Sequence, residues 1–146
     1  MDVSSIIADL TEDEYGWQVT LPTSLGRFFG HAVRLEIETR PVAEEGAPPV
    51  VSPEETALAK TILANLPAIL ADAEKKFTRY TDGDADAKEQ IRDPHIWINR
   101  DEFEDSEDDE EDMERWTFVV GREDAPDFGY HIEFDGRKCL EIWAGD

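Results

Sequence analysis

Ser52-Pro-Glu-Glu-Thr-Ala-Leu-Ala-Lys-Thr-Ile-Leu-Ala-Asn-Leu-Pro-Ala-Ile-Leu-Ala-Asp-Ala-Glu-Lys-Lys-Phe-Thr-Arg-Tyr80 decides the fold class. Ser52 suits an N-cap, Pro53 the first helical position, and Glu55 the acid of a capping box. Leu58, Ile62, Leu66, Ile69, Ala73, Phe77 and Tyr80 recur every three or four residues and form one apolar stripe. A helix with a single stripe packs on another layer. Pro67 lies inside it, lacks an amide donor and clashes with the carbonyl of Leu63. The stripe continues across Pro67, so the expectation is one long helix kinked there, ahead of two helices meeting near Asn65.

Strand patterns lie on both sides of this helix. Residues 15–21 alternate with Tyr15, Trp17, Val19 and Leu21 on one side, and Pro22 ends the run. Residues 32–39 alternate more clearly: Val33, Leu35 and Ile37 inward, Arg34, Glu36 and Glu38 outward. The short link predicts antiparallel pairing of the two. Residues 41–51 hold three prolines and a glycine and read as a loop. After the helix, residues 81–93 are polar, with a short helix expected over 85–91, and residues 95–98 (His-Ile-Trp-Ile) form a short strand. Residues 116–120 place Trp116, Phe118 and Val120 on one face, and residues 128–134 place Phe128, Tyr130, Ile132 and Phe134 on one face. Asp135-Gly136 is a strong hairpin signal leading to a last strand over 137–143. The order predicts an α+β fold: an antiparallel sheet of about five strands packed on one long helix, in a single domain over residues 1–146.

Thirty-six acids against fourteen bases give a formal charge of -22. Such a chain is repelled by nucleic acid and by anionic membranes, and attracts basic proteins and cations. The charge is concentrated at residues 101–114, where eleven of fourteen are Asp or Glu. Like charges at this density favour an exposed acidic loop. Within and beside it, Trp97, Phe103, Asp105, Glu107, Asp108, Asp109, Glu110, Glu111 and Asp112 are the candidate partner-binding residues, the carboxylates speeding association and the aromatics anchoring it.

Other chemistries are poorly served. Asp82, Asp84 and Asp86 have the one-three-five spacing of a calcium loop, but Ala87 replaces the turn glycine, Glu89 stands where an apolar residue belongs, and Asp93 occupies the twelfth position in place of Glu. A polar connection rich in capping Asp explains them better. His31, His95 and His131 are scattered, with no zinc-binding spacing; an enzyme or metal site assembled from them and carboxylates in three dimensions is the alternative reading. No phosphate-binding loop, dinucleotide fingerprint or nucleophile elbow occurs, so no catalytic residue, metal or cofactor is assigned. Cys139 is the single cysteine and fits a reducing cytoplasm; alternation places it opposite Leu140 and Ile142, where it would be accessible. The first ten residues lack the basic start and apolar run of a signal peptide, and no stretch approaches the length of a membrane span, so a cytoplasmic location is expected.

The last third of the chain, with Trp-Thr-Phe-Val-Val at 116–120, Phe-Gly-Tyr-His-Ile-Glu-Phe-Asp-Gly at 128–136 and Glu-Ile-Trp-Ala-Gly-Asp at 141–146, resembles small uncharacterised bacterial proteins. Some of these are described as immunity proteins, which neutralise a secreted toxin by binding it. The resemblance carries no catalytic motif. It implies an immunity role; together with the charge of -22, the concentrated acid run and the missing catalytic constellation, the expectation is a cytoplasmic, non-enzymatic binding protein of immunity or inhibitor type, with a basic protein as partner.

Overall fold

The structure is a computed structural model and describes residues 6, 10–12, 16–38, 53–84, 86–98 and 115–145. They form seven strands in one sheet and two helices: β1 Thr11–Glu12, β2 Gly16–Thr20, β3 Arg34–Glu38, α1 Pro53–Ala64, α2 Leu66–Tyr80, β4 Ile91–Ile98, β5 Arg115–Arg122, β6 Ala125–Asp135 and β7 Lys138–Gly145. Strand order in the sheet equals chain order. The α+β class holds. The expected all-antiparallel sheet of about five strands needs correction, because β3 and β4 run parallel, joined by the helical crossover, and every other pair is antiparallel. A parallel neighbour requires such a crossover, since no tight turn can return the chain in the same direction.

The long kinked helix is also corrected: it is two helices. Asn65 sits between them at φ -120° and ψ 16°. Its amide donates to the Ile62 carbonyl at 3.1 Å, a tightened last turn, and its side-chain Nδ2 donates to Thr61 O at 2.8 Å, the acceptor that a continuing helix would have used. Pro67 thereby falls in the first turn of α2, where a missing N–H costs nothing. Arg137 Nη1 donates to Asn65 Oδ1 at 3.1 Å and ties the break to the β6–β7 turn. The proposed cap Ser52 lies outside the described residues.

The stripe packs as its spacing requires. Leu58, Ile62, Leu66, Ile69, Ala73 and Phe77 are buried, joined by Ala59, Leu63 and Leu70. They cover one face of the sheet, made by Leu35 and Ile37 of β3, Ile96 and Ile98 of β4, Trp116, Phe118 and Val120 of β5, and Tyr130, Ile132 and Phe134 of β6. Tyr80 ends the stripe but stays 47% exposed. A loop before β3 closes one side: Phe28 meets Phe77 edge-on at 5.6 Å and Phe118 at 5.0 Å. Its tip, Phe29-Gly30, has φ values of 46° and 85°. The strained Phe29 is held by its amide, which donates to Glu74 Oε2 of α2 at 2.8 Å.

Two irregularities re-aim side chains. In β4 the register shifts between Arg92 and His95, where Asp93 has φ 45°. In β7 it shifts at Leu140, so Cys139 pairs with Phe134 while Ile142 pairs with Ile132. Cys139 therefore faces the helices with Ile142, not solvent. Burial raises its pKa, with Lys76 and Asp72 of α2 nearby acting in opposite directions. An unreactive, packed thiol follows. At the hairpin, Asp135 pairs with Lys138, and Gly136 at φ 58° takes the first position of the two-residue turn.

Trp116 is the largest fully buried side chain. It stacks on Phe134 at 4.4 Å, and its Nε1 donates to Gly136 O at 2.7 Å. Trp116→Phe leaves that buried carbonyl without its donor and opens a void. The variant is expected to lose about 2–3 kcal/mol, read as a lower urea midpoint at an unchanged slope. An unchanged midpoint would contradict this account of the hairpin.

Candidate functional site

The sheet face away from the helices is polar, and register assigns its residues without ambiguity. One row runs Arg34, His95, Val119, His131, Trp143 from β3 to β7. The next runs Gln18, Glu36, Trp97, Thr117, Glu133, Glu141 from β2 to β7. Glu38 and Arg115 lie on the same face two residues further along β3 and β5. The carboxylates of Glu36, Glu38, Glu133 and Glu141 outnumber the guanidiniums of Arg34 and Arg115 on this face.

At the β3–β4 end the groups are locked together. Arg34 grips Asp93 with two bonds, Nε to Oδ1 at 3.2 Å and Nη2 to Oδ2 at 3.0 Å, and its Nη1 reaches Glu36 at 3.3 Å and Gln18 Oε1 at 3.3 Å. Bidentate pairing of this kind fixes geometry as well as charge. It clamps Asp93 in its positive-φ conformation, an unusual one for a residue before proline. His95 Nδ1 donates to Asp93 O at 2.8 Å and strengthens the clamp. Burial, with Arg34 adding to it, lowers the His95 pKa, although Asp93 and Glu36 oppose the shift. The imidazole is neutral at pH 7, so its approaches to Glu36 at 3.8 Å and Asp93 at 3.6 Å are not ion pairs there.

Trp97 stands in the middle of the face, half-buried, with Nε1 donating to Glu38 Oε2 at 2.9 Å. It is the one partner-binding candidate within the described residues. Phe103, Asp105, Glu107, Asp108, Asp109, Glu110, Glu111 and Asp112 lie outside them.

At the β6–β7 end, His131 stacks on Trp143 with ring centres 3.9 Å apart and planes 8° apart. The rings lie close to Gly129 and Gly145, which pair across β6 and β7. A Cβ at Gly129 would stand 3.5 Å from His131 Nε2, and one at Gly145 3.6 Å from the Trp143 ring. The glycines leave the rings room to lie close to the sheet. Burial lowers the His131 pKa, so this imidazole is also neutral at pH 7. Trp143 remains 42% exposed on the last strand.

Beside the stack, Glu133 and Glu141 are directly opposite each other on β6 and β7. Like charges so placed repel. The Glu133 pKa is raised, first by burial and then by a hydrogen bond shared with Glu141; a bond from the Trp143 side chain and the charge of Arg115, 3.6 Å away, act against the rise.

The other candidates of the sequence separate. His31 lies on the loop tip, exposed and bridged to Phe28, away from the histidines of the sheet. His95 and His131 share a row but have Val119 between them. Among the described residues no group of three or more His, Cys, Asp or Glu is arranged to hold a metal ion. Two of the calcium-like aspartates are engaged elsewhere: Asp84 accepts from Arg122 at 2.8 Å, and Asp93 accepts from Arg34. Sequence reading missed the Glu133–Glu141 pair, the His131–Trp143 stack and the Arg34–Asp93 clamp. The glycines at 129 and 145 were the available signal for the stack.

Among the described residues no helix is long and apolar enough to cross a membrane. Comparison of the chain with family models, with curated proteins and with solved structures finds no match.

The carboxyl pair makes a pH-dependent prediction. A folded-state pKa above the ordinary 4.5 means that the folded protein holds this proton more tightly than the unfolded chain. The Glu133 contribution is therefore fully present below that value and is lost as pH rises through its raised pKa. Glu141→Gln is expected to stabilise the protein by about 0.5 kcal/mol at pH 7.5 and to have little effect at pH 4. Urea unfolding at the two pH values measures it, and an equal gain at both would exclude relief of repulsion as the cause.

Proposed function

We propose that this chain is a non-enzymatic acidic binding protein of the immunity or inhibitor kind, which docks a basic protein on the open sheet face. The acidic segment at 101–114, which falls between β4 and β5 in the chain, would add to the charge that steers a basic partner. The observation that carries the reading is the Glu133–Glu141 pair beside the half-exposed Trp143: two carboxyls facing each other on neighbouring strands, next to an aromatic anchor. A lysine or arginine from a partner would relieve the repulsion, and the indole would supply the apolar contact. The charge of -22 supports the same reading by steering basic proteins toward the chain. Some of the small bacterial proteins that stretches of residues 116–146 resemble are described as immunity proteins, and on that reading a toxin would be the partner. The alternative, an enzyme or metal-dependent protein with a site assembled from scattered histidines and carboxylates, has His95 and His131 on a common face with Glu36 and Glu133 to draw on, while His31 lies elsewhere.

Affinity capture from native extract at low salt tests the proposal. Wild type is expected to retain one basic protein, with recovery falling as salt is raised. Trp143→Ala is expected to weaken binding about tenfold or more. Replacing Asp105, Glu107, Asp108, Asp109, Glu110, Glu111 and Asp112 with their amides is expected mainly to slow association. Equal recovery of the same partner by all three forms would overturn the charge-driven mechanism. A toxin-like reading frame beside the gene is the expected genomic context.

A further inference from the structure

On the helix side of the sheet, a hollow of about 560 Å³ opens where α2 ends, lined by Tyr80, Asp82, Asp84, Arg122, Phe128 and Tyr130 among others. Its aromatic wall is a corner of three rings. Tyr130, 4% exposed and backed edge-on by Phe77 at 4.9 Å, forms the fixed member. Tyr80 meets it at 6.1 Å and 85°, and Phe128 at 5.1 Å and 90°. Tyr80 departs from the core although its helix stripe would carry it inward, and it is one of two large hydrophobic side chains exposed among the described residues.

The polar wall is negative. Among the described residues Arg122 is the one basic residue lining the hollow, and it makes four hydrogen bonds. Nη1 bonds Asp84 Oδ2 at 2.8 Å and Tyr130 Oη at 2.7 Å, while Nε and Nη2 bond the two oxygens of Asp124 at 2.8 Å each. With two carboxylates on this one guanidinium, no positive charge is left to recruit an anion. The exposed carboxylate of Asp82 has no partner among the described residues and adds a further negative charge. Lys88, beyond the turn, is held over the Phe29 ring at 5.1 Å and does not line the hollow. Aromatic and carboxylate side chains around an open hollow suit a weakly hydrated cation, whose charge is attracted by aromatic rings. A volume of this size accepts a small ligand or one long side chain.

We propose that this hollow is a binding site for an organic cation of the quaternary or alkylated ammonium class, with Tyr80, Phe128 and Tyr130 as its ring wall and Asp82 as its counter-charge. The cation can be a free small molecule or an alkylated lysine of a protein. The site lies on the opposite side of the sheet from the open face and does not depend on the reading given for that face.

Titration with tetramethylammonium at low ionic strength, followed by calorimetry and by tyrosine ring signals in NMR, tests it. Wild type is expected to bind saturably, with sulfate as a non-binding control. Tyr80→Phe keeps the ring and should retain affinity. Tyr80→Leu keeps apolar bulk without the ring and should lose about fivefold or more, and Asp82→Asn should weaken binding as well. Tyr80 is exposed, so all three variants should unfold at the wild-type temperature. Absence of saturable binding by wild type, or equal binding by Tyr80→Leu, would overturn the proposal. Choline and a trimethyllysine peptide are then compared: tighter binding of the peptide assigns the cation to a protein side chain, and tighter binding of choline assigns it to a small molecule. Trp143→Ala should leave this titration unchanged, so failure at one site is read separately from failure at the other.

Discussion

Two strands that run side by side in the same direction cannot be joined by a turn, and this constraint at β3 and β4 organises the molecule. The chain must leave the sheet after Glu38 and return at Ile91, and the connection includes α1 and α2. Their apolar stripe then has one place to go, the face made by Leu35, Ile96, Phe118 and Ile132. The other face is left polar as a consequence of the same crossover. A fully antiparallel meander would have offered no reason for the helices to lie on one side.

Much of this could be read in the sequence, for definite reasons. Alternation of Val33, Leu35 and Ile37 with Arg34 and Glu36 survives in the structure because one face is packed and the other is not. The spacing from Leu58 to Phe77 survives because the helices are one layer deep on the sheet. The errors arise where a local rule met a competing interaction. Pro67 was expected to bend a helix; Asn65 instead ends it, because its side chain satisfies Thr61 and is itself held by Arg137, seventy-odd residues downstream. Cys139 was placed by strict alternation, and a single extra residue at Leu140 reversed its face. Strand β4 begins earlier than its apolar pattern suggested, since Asp93-Pro94 looks like punctuation when Arg34 is not in view.

The candidate site was less legible than the fold, and for a different reason. Its members come from β2 through β7, and only the sheet register brings Glu36, Trp97, Glu133 and Glu141 into one row. Of the residues chosen from sequence, Trp97 lies on that face. The carboxylates that oppose each other most directly were hidden among ordinary strand positions, each reading as an unremarkable solvent-facing residue. Neutral His95 and His131 complete the contrast: scattered in sequence, they lie in one row, and both are kept uncharged by burial.

The match between strand order and chain order also constrains how the protein folds. Every sheet pairing joins strands consecutive in the chain and all but one are antiparallel, so β1 to β3 and β4 to β7 are each meanders. The exception joins Arg34 to His95 across about sixty residues, and closing so long a loop carries the largest entropic cost in the sheet. That seam is therefore the natural rate-limiting step. The Arg34–Asp93 clamp lies directly on it, which gives a surface ion pair a second role as the fastening between two halves that assemble separately.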